Sequence, residues 1–227
     1  MNAQRIPVRF EHEMVDPLIS VIPLAFEIRS GERTRVLREA AIGSVIPDVL
    51  IGLWRGDLPP WGNLNSVSRH VLACLSAQKA VPSEEYLCEN LLLSSDAAGT
   101  AVSTLKRIGA VVKRDSGEVA IQPEFDVLDS VKLIAIEIKL KRWREALEQA
   151  VMYRKFADEA HVVLDGNQVR LTDEIRSAFT SSGIGLFLQF GGMVTRVLEA
   201  ATETPAASVD RLFALAKLAK SGPYCLA

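Results

Sequence analysis

Two carboxylates, one amine and a polar pair are the side chains of this 227-residue chain whose types and spacing could do chemistry together. Glu137 and Lys139 lie two positions apart in a run that alternates between apolar and other residues. Ile134, Ile136, Ile138 and Leu140 fall on one side of that run, and Leu133, Ala135, Glu137 and Lys139 on the other. The acid and the amine therefore share a strand face, roughly 6–7 Å apart along the strand. Gln149 and Tyr153 follow, one helical turn from each other. A further acid, Asp48, leads into a second apolar run. Carboxylates are hard ligands for small divalent cations, and an ammonium beside them shields charge developing on oxygen. Taken alone, the alternation around Glu137 and Lys139 also describes the solvated face of an edge strand. Asp48 and the Gln149/Tyr153 pair give it chemical content.

The elements that must position these groups follow from periodicity. Residues 132–140 read as a strand with one β-branched, wholly apolar face. Trp143, Ala146, Leu147, Ala150, Met152, Tyr153 and Phe156 then repeat at helical spacing, with Ala146 and Ala150 small enough to seat that helix close on a sheet. Upstream, residues 13–26 predict a short helix with Asp16 as cap, Pro17 in the first turn and Pro23 as its kink or end. Residues 33–41 and 45–54 predict a hairpin whose second strand carries Asp48 near its start. The segment 55–63, with two glycines, two adjacent prolines and an asparagine, reads as an exposed linker. Beyond it come three short helices: one over 67–77, one capped by Ser83, and one capped by Ser95 or Asp96 and ending at Gly109. Two short strands around 115–117 follow. After the Gln149/Tyr153 helix the pattern gives a buried strand at 160–164, a helix capped by Thr172 and ended by Gly183, and a hairpin turning at Gly191-Gly192. A small-residue linker at 200–207 leads to a last amphipathic helix over 208–220.

Asp48 entering one strand, Glu-x-Lys on a second and Gln-x-x-x-Tyr on the next helix resemble the PD-(D/E)XK, or restriction-endonuclease-like, nuclease superfamily. The resemblance implies an α/β fold, a mixed sheet flanked by helices, and metal-dependent hydrolysis of DNA phosphodiester bonds. It implies Asp48, Glu137 and the main-chain carbonyl of Ile138 as ligands to Mg²⁺ or Mn²⁺, with Lys139, Gln149 and Tyr153 as further catalytic groups. A further N-terminal acid often completes such sites; Glu27 is the first candidate and Glu13 the second. As a group facing the site, Lys139 is expected to contribute little to the core. Residues 66–122 resemble a winged helix-turn-helix, with LKRIGAVVKRDSGEVAI as third helix and wing. The expected organisation is thus a nuclease-like domain in two parts, 1–58 and 128–227, interrupted by a winged insert at 64–124. Lys141, Arg142 and Arg144 beside the site, and Lys106, Arg107, Lys113 and Arg114 on the insert, are the expected nucleic-acid contacts. The insert has two candidate roles, docking DNA or docking a protein.

Composition sets the outer bounds. The chain is 48% hydrophobic and 24% charged, ordinary for a globular protein, and its net charge of −2 argues against general coating of nucleic acid, so that any DNA contact must come from local patches. Cys74, Cys88 and Cys225 are far apart and form no metal-binding or disulfide pattern, and His12, His70 and His161 are equally scattered. The N-terminal sequence lacks the pattern of a secretory signal, and no apolar run is long enough to span a bilayer, so a cytoplasmic, non-membrane protein is expected. DNA is the expected partner, with a homodimer or a protein bound through the insert as further possibilities. The rival expectation is a catalytically silent nuclease fold acting as a DNA-binding or interaction module.

Overall fold

The computed structural model describes residues 10–77, 82–125, 130–205 and 208–220. Cys225, the first nine residues and residues 206–207 of the expected linker lie outside them. In chain order a 3-10 turn (Glu11–Met14) leads into α1 (Val15–Ala25), β1 (Arg33–Arg38) and β2 (Val49–Trp54). A second 3-10 turn (Trp61–Asn63) precedes α2 (Ser66–Ala77), α3 (Glu84–Leu91), α4 (Ser95–Arg107), β3 (Val111–Lys113) and β4 (Val119–Ile121). Then follow β5 (Lys132–Lys139), α5 (Trp143–Tyr153), β6 (Glu159–Asp165), α6 (Asp173–Ser182), β7 (Gly185–Phe190), β8 (Met193–Leu198) and α7 (Val209–Lys220).

Six strands form one sheet in the order β1-β2-β5-β6-β7-β8. The β5–β6 and β6–β7 pairs are parallel, and β1–β2, β2–β5 and β7–β8 are antiparallel. Parallel neighbours need crossover connections, and α5 and α6 supply them. The architecture is α/β, a mixed sheet flanked by helices. The alternation in β5 fixes its two faces. Ile134, Ile136 and Ile138 join Val49, Ile51, Leu53, Val163 and Phe187 in a core closed by Met14, Leu18 and Ile22, spaced by four along α1. Each such side chain, fully buried, contributes about 1.5–3 kcal/mol. Ala146 and Ala150 of α5 are fully buried, as expected of residues that let a helix approach closely.

The chain divides into two compact units. The first holds the residues through Trp54 and Lys132–Thr204; the second holds Arg55–Val131 and α7. The boundaries at Trp54 and Lys132 lie close to those expected, but α7 does not accompany the six-stranded sheet. It packs on the 3-10 turn at Trp61–Asn63 and on α2. Gly62 lies so close to Lys220 that an added Cβ would come 3.0 Å from the lysine Cβ, and the Arg69 guanidinium stacks over the Phe213 ring. Two caps also differ from expectation. Met14 precedes α1 and Asp16 lies in the first turn, where it pairs with Arg38, and Ser94 caps α4 by accepting from Ala97 N–H. Ser83, Thr172 and Gly183 act as expected.

His161 on β6 is fully buried against Phe26 and Phe187. Burial pushes its pKa down, and the neutral ring sets Nε2 3.3 Å from Glu159, leaving Nδ1 without a partner among the described residues. Glu159 also accepts from Lys132 and Thr202; these hydrogen bonds with that from His161 outweigh its burial and hold its pKa down at about 2. The ring fits because β7 starts with glycine: a Cβ on Gly185 would lie 2.1 Å from Nδ1. Gly185→Ala should therefore cost about 1–3 kcal/mol in chemical denaturation, as overpacking does. A cycle with His161→Ala should show coupling, because the methyl has room once the ring is gone. Equal losses in both backgrounds would contradict this packing.

Candidate active site

The carboxylates meet because of strand register. Val49 pairs with Ile136, and one further antiparallel step brings Asp48 opposite Glu137, on the same face of the sheet. Asp48 Oδ2 accepts a 2.7 Å hydrogen bond from Ile138 N–H. The Ile138 carbonyl turns to the same strand edge as its N–H, towards Asp48. Glu137 is only 2% exposed. Its Oε1 accepts from Lys139 Nζ at 2.6 Å and its Oε2 from the Tyr153 hydroxyl, which also lies 3.2 Å from the Ile46 carbonyl oxygen. The strand and helix periods thus bring Asp48, Glu137, Lys139 and Tyr153 together. Gln149, one turn before Tyr153, has its amide oxygen buried without a partner among the described residues.

A third carboxylate approaches, but not one singled out from sequence. Glu11 Oε1 accepts from Leu140 N–H at 3.3 Å, and its Oε2 lies 3.6 Å from Lys139 Nζ. In a 3-10 turn residues three apart eclipse each other, so Glu11 shares the side of the core residue Met14. Glu13 faces out and accepts from Phe10 N–H. Glu27 is exposed beyond the far end of α1, about 16 Å along the axis at 1.5 Å per residue. The signal for Glu11 was its spacing from Met14, readable only once the turn is known to be 3-10.

These charges perturb one another. Asp48 is pushed up to about 6 by burial and then by Glu137, against the Ile138 hydrogen bond and Lys139. For Lys139, burial opposes the charge, but the hydrogen bond and charge of Glu137, then Glu11 and Asp48, hold its pKa above the ordinary lysine value. Tyr153 stays a phenol, its pKa raised by burial and by Glu137. Lys139 is 8% exposed, more buried than a group merely facing a cleft. Removing it would strand a buried carboxylate, which costs several kcal/mol.

The expected basic contacts are partly spoken for. Arg142 pairs with Glu145, Arg144 with Glu174, Lys113 with Glu84 and Arg114 with Glu118. All eight side chains are substantially exposed, and such pairs are worth about 0–1 kcal/mol each, so a phosphate can displace them. Lys106, Arg107 and Lys141 are exposed.

No protein-family model, curated protein or solved structure matches the chain. The chemistry of the site has to speak for itself. Among the described residues no three His, Cys, Asp or Glu side chains are already gathered as a metal-binding group. The donors nonetheless suit a hard cation, since Mg²⁺ often takes only one or two carboxylates and keeps waters. Asp48 and Glu137 could supply two, and the Ile138 carbonyl a third oxygen. Burial first, and the Glu137 charge second, leave ionised Asp48 short of stabilisation.

That shortage has a consequence for stability. A folded-state pKa of about 6 against 3.8 means that ionised Asp48 opposes folding. The shift is equivalent to about 3 kcal/mol at most, and solvent screening reduces it to about 1–2 kcal/mol. Asp48→Asn should therefore stabilise the fold by about that much at pH 7, since an amide oxygen still accepts from Ile138 N–H. The gain should disappear below about pH 4, where the carboxyl is protonated folded and unfolded alike. Urea denaturation at the two pH values measures it, and a loss of stability at pH 7 would be inconsistent with this electrostatic picture.

Proposed function

We propose that the sheet unit is a divalent-metal-dependent nuclease of the PD-(D/E)XK type, hydrolysing DNA phosphodiester bonds. On this reading the three helices and hairpin of the second unit, α2–α4 with β3 and β4, form a winged helix-turn-helix module that docks DNA or a partner protein. The observation that carries the reading is the convergence of Asp48, Glu137 and Lys139 from adjacent strands, with Tyr153 of the next helix bonded to Glu137.

Asp48, Glu137 and the Ile138 carbonyl would hold Mg²⁺ or Mn²⁺. A cation there supplies Lewis-acid stabilisation of the phosphoryl oxygens and a more acidic water. In the metal-free site the surrounding carboxylates favour the charged form of Lys139. Lys139 would orient the water and donate to a phosphoryl oxygen as charge builds; the water oxygen bonds to phosphorus as the phosphorus–oxygen bond to the sugar breaks, the water giving its proton to solvent and the departing sugar oxygen taking one from solvent. Tyr153 fixes the Glu137 carboxylate, and Gln149 lies one turn before it with its amide oxygen buried. Lys141 and the displaceable Arg142 and Arg144 would take flanking phosphates.

The rival is a catalytically silent scaffold, favoured by one observation: both Glu137 oxygens already have protein donors. Incubation of supercoiled plasmid with Mg²⁺ or Mn²⁺ separates the two. The nuclease should nick or linearise it, lose activity in EDTA, and lose at least about 100-fold in Asp48→Asn, the scale of removing one key electrostatic group. Because that variant is expected to be the more stable protein, its loss is not misfolding. Intact plasmid under every condition, with DNA binding retained, would establish the silent scaffold instead.

A further inference from the structure

We propose that Lys139 is the resident counter-cation of Glu137 and competes with a divalent cation for that carboxylate, so that the metal-free site is latched by its own lysine. This rests on the metal-site reading above and adds what the reading does not contain, an antagonism between two members of the site. Both Glu137 oxygens are engaged: Oε1 holds the Lys139 ammonium at 2.6 Å and Oε2 holds the Tyr153 hydroxyl. The ammonium also stands between carboxylates, with Glu11 Oε2 3.6 Å away on a different element. A small divalent ion draws its oxygen ligands to about 2.1 Å. Glu11 and Glu137 cannot close on one ion while a lysine nitrogen lies between them.

The parts differ in what can move. Glu137 is nearly inaccessible, sits within β5 and is tied to α5 through Tyr153. Lys139 is the last residue of β5 and carries its charge on a flexible four-carbon stem. The ammonium is therefore the group that yields. Once it swings away it leaves Glu137 Oε1 open and is itself free to meet an anion. A residue needed to stabilise the reacting phosphate thus weakens the site's hold on its own cation.

The test is Mn²⁺ affinity by isothermal titration calorimetry on the full chain, with no nucleic acid present. Lys139→Met removes the competing charge. Lys139→Gln also removes it but keeps a neutral donor for Glu137, so the measurement stands if the first variant folds poorly. Both variants should bind Mn²⁺ at least about ten-fold more tightly than the unaltered protein, the scale of one charge-assisted hydrogen bond. Adding Glu137→Gln to either should remove the gain. Binding by the unaltered protein with equal or weaker binding by Lys139→Gln would overturn the antagonism and leave the nuclease reading standing. An absence of Mn²⁺ binding in every protein would overturn both.

Discussion

A carboxylate with 2% of its surface in water must be answered by donors, and Glu137 is answered by two, Lys139 and Tyr153. Most of the sheet unit can be traced outward from those bonds. Lys139 can reach Glu137 only because both lie on one face of β5, two residues apart. Tyr153 can reach it only because α5 sits close on that face, which fully buried Ala146 and Ala150 permit. The opposite face of β5 is given over to isoleucines packed under α1, so one alternation positions the polar cluster and holds the sheet to its covering helix. A one-residue slip in register would exchange the two faces and bury charge in the apolar core.

The cluster is not arranged for stability. Asp48 is brought opposite Glu137 and beside Glu11, three acids around one lysine, and it is pushed up to about 6 by burial and repulsion. A sequence selected for folding alone would relieve this with an amide or an apolar residue, since buried ion pairs rarely outperform well-packed apolar groups. Strain of this kind, concentrated at one end of two adjacent strands, is what the proposed function expects of a site prepared for a cation and an anionic substrate, and a solvated strand face would lack it. His161 is the contrasting case. It is as deeply buried, yet it rests neutral in a slot made by Gly185, with Glu159 satisfied by several donors, and it belongs to the packing.

Much of this was legible in the sequence where one periodicity dominated. The period-2 run gave the faces of β5 correctly, and the resemblance put Tyr153 beside the site, but its bond to Glu137 itself was not foreseen. What remained hidden depended on tertiary packing. Glu11 could not be told from Glu13 or Glu27, because the distinction lies in a 3-10 turn whose threefold repeat aligns Glu11 with buried Met14. The burial of Lys139 was hidden because alternation says which face a residue occupies, not what covers it. Helix α7 shows no sign in its amphipathic pattern of which partner it will meet; it joins the second unit through close contact at Gly62. The ion pairs that occupy Arg142 and Arg144 link residues such as Arg144 and Glu174, which only the fold makes neighbours.

Manganese anomalous diffraction from crystals soaked in Mn²⁺ would show whether Asp48 and Glu137 together hold a divalent cation, as proposed. An anomalous peak is expected within about 2.2 Å of an oxygen from each carboxylate, with the Lys139 ammonium withdrawn from Glu137. A map with no peak there at saturating Mn²⁺, and with the Lys139–Glu137 contact intact, would contradict the proposal.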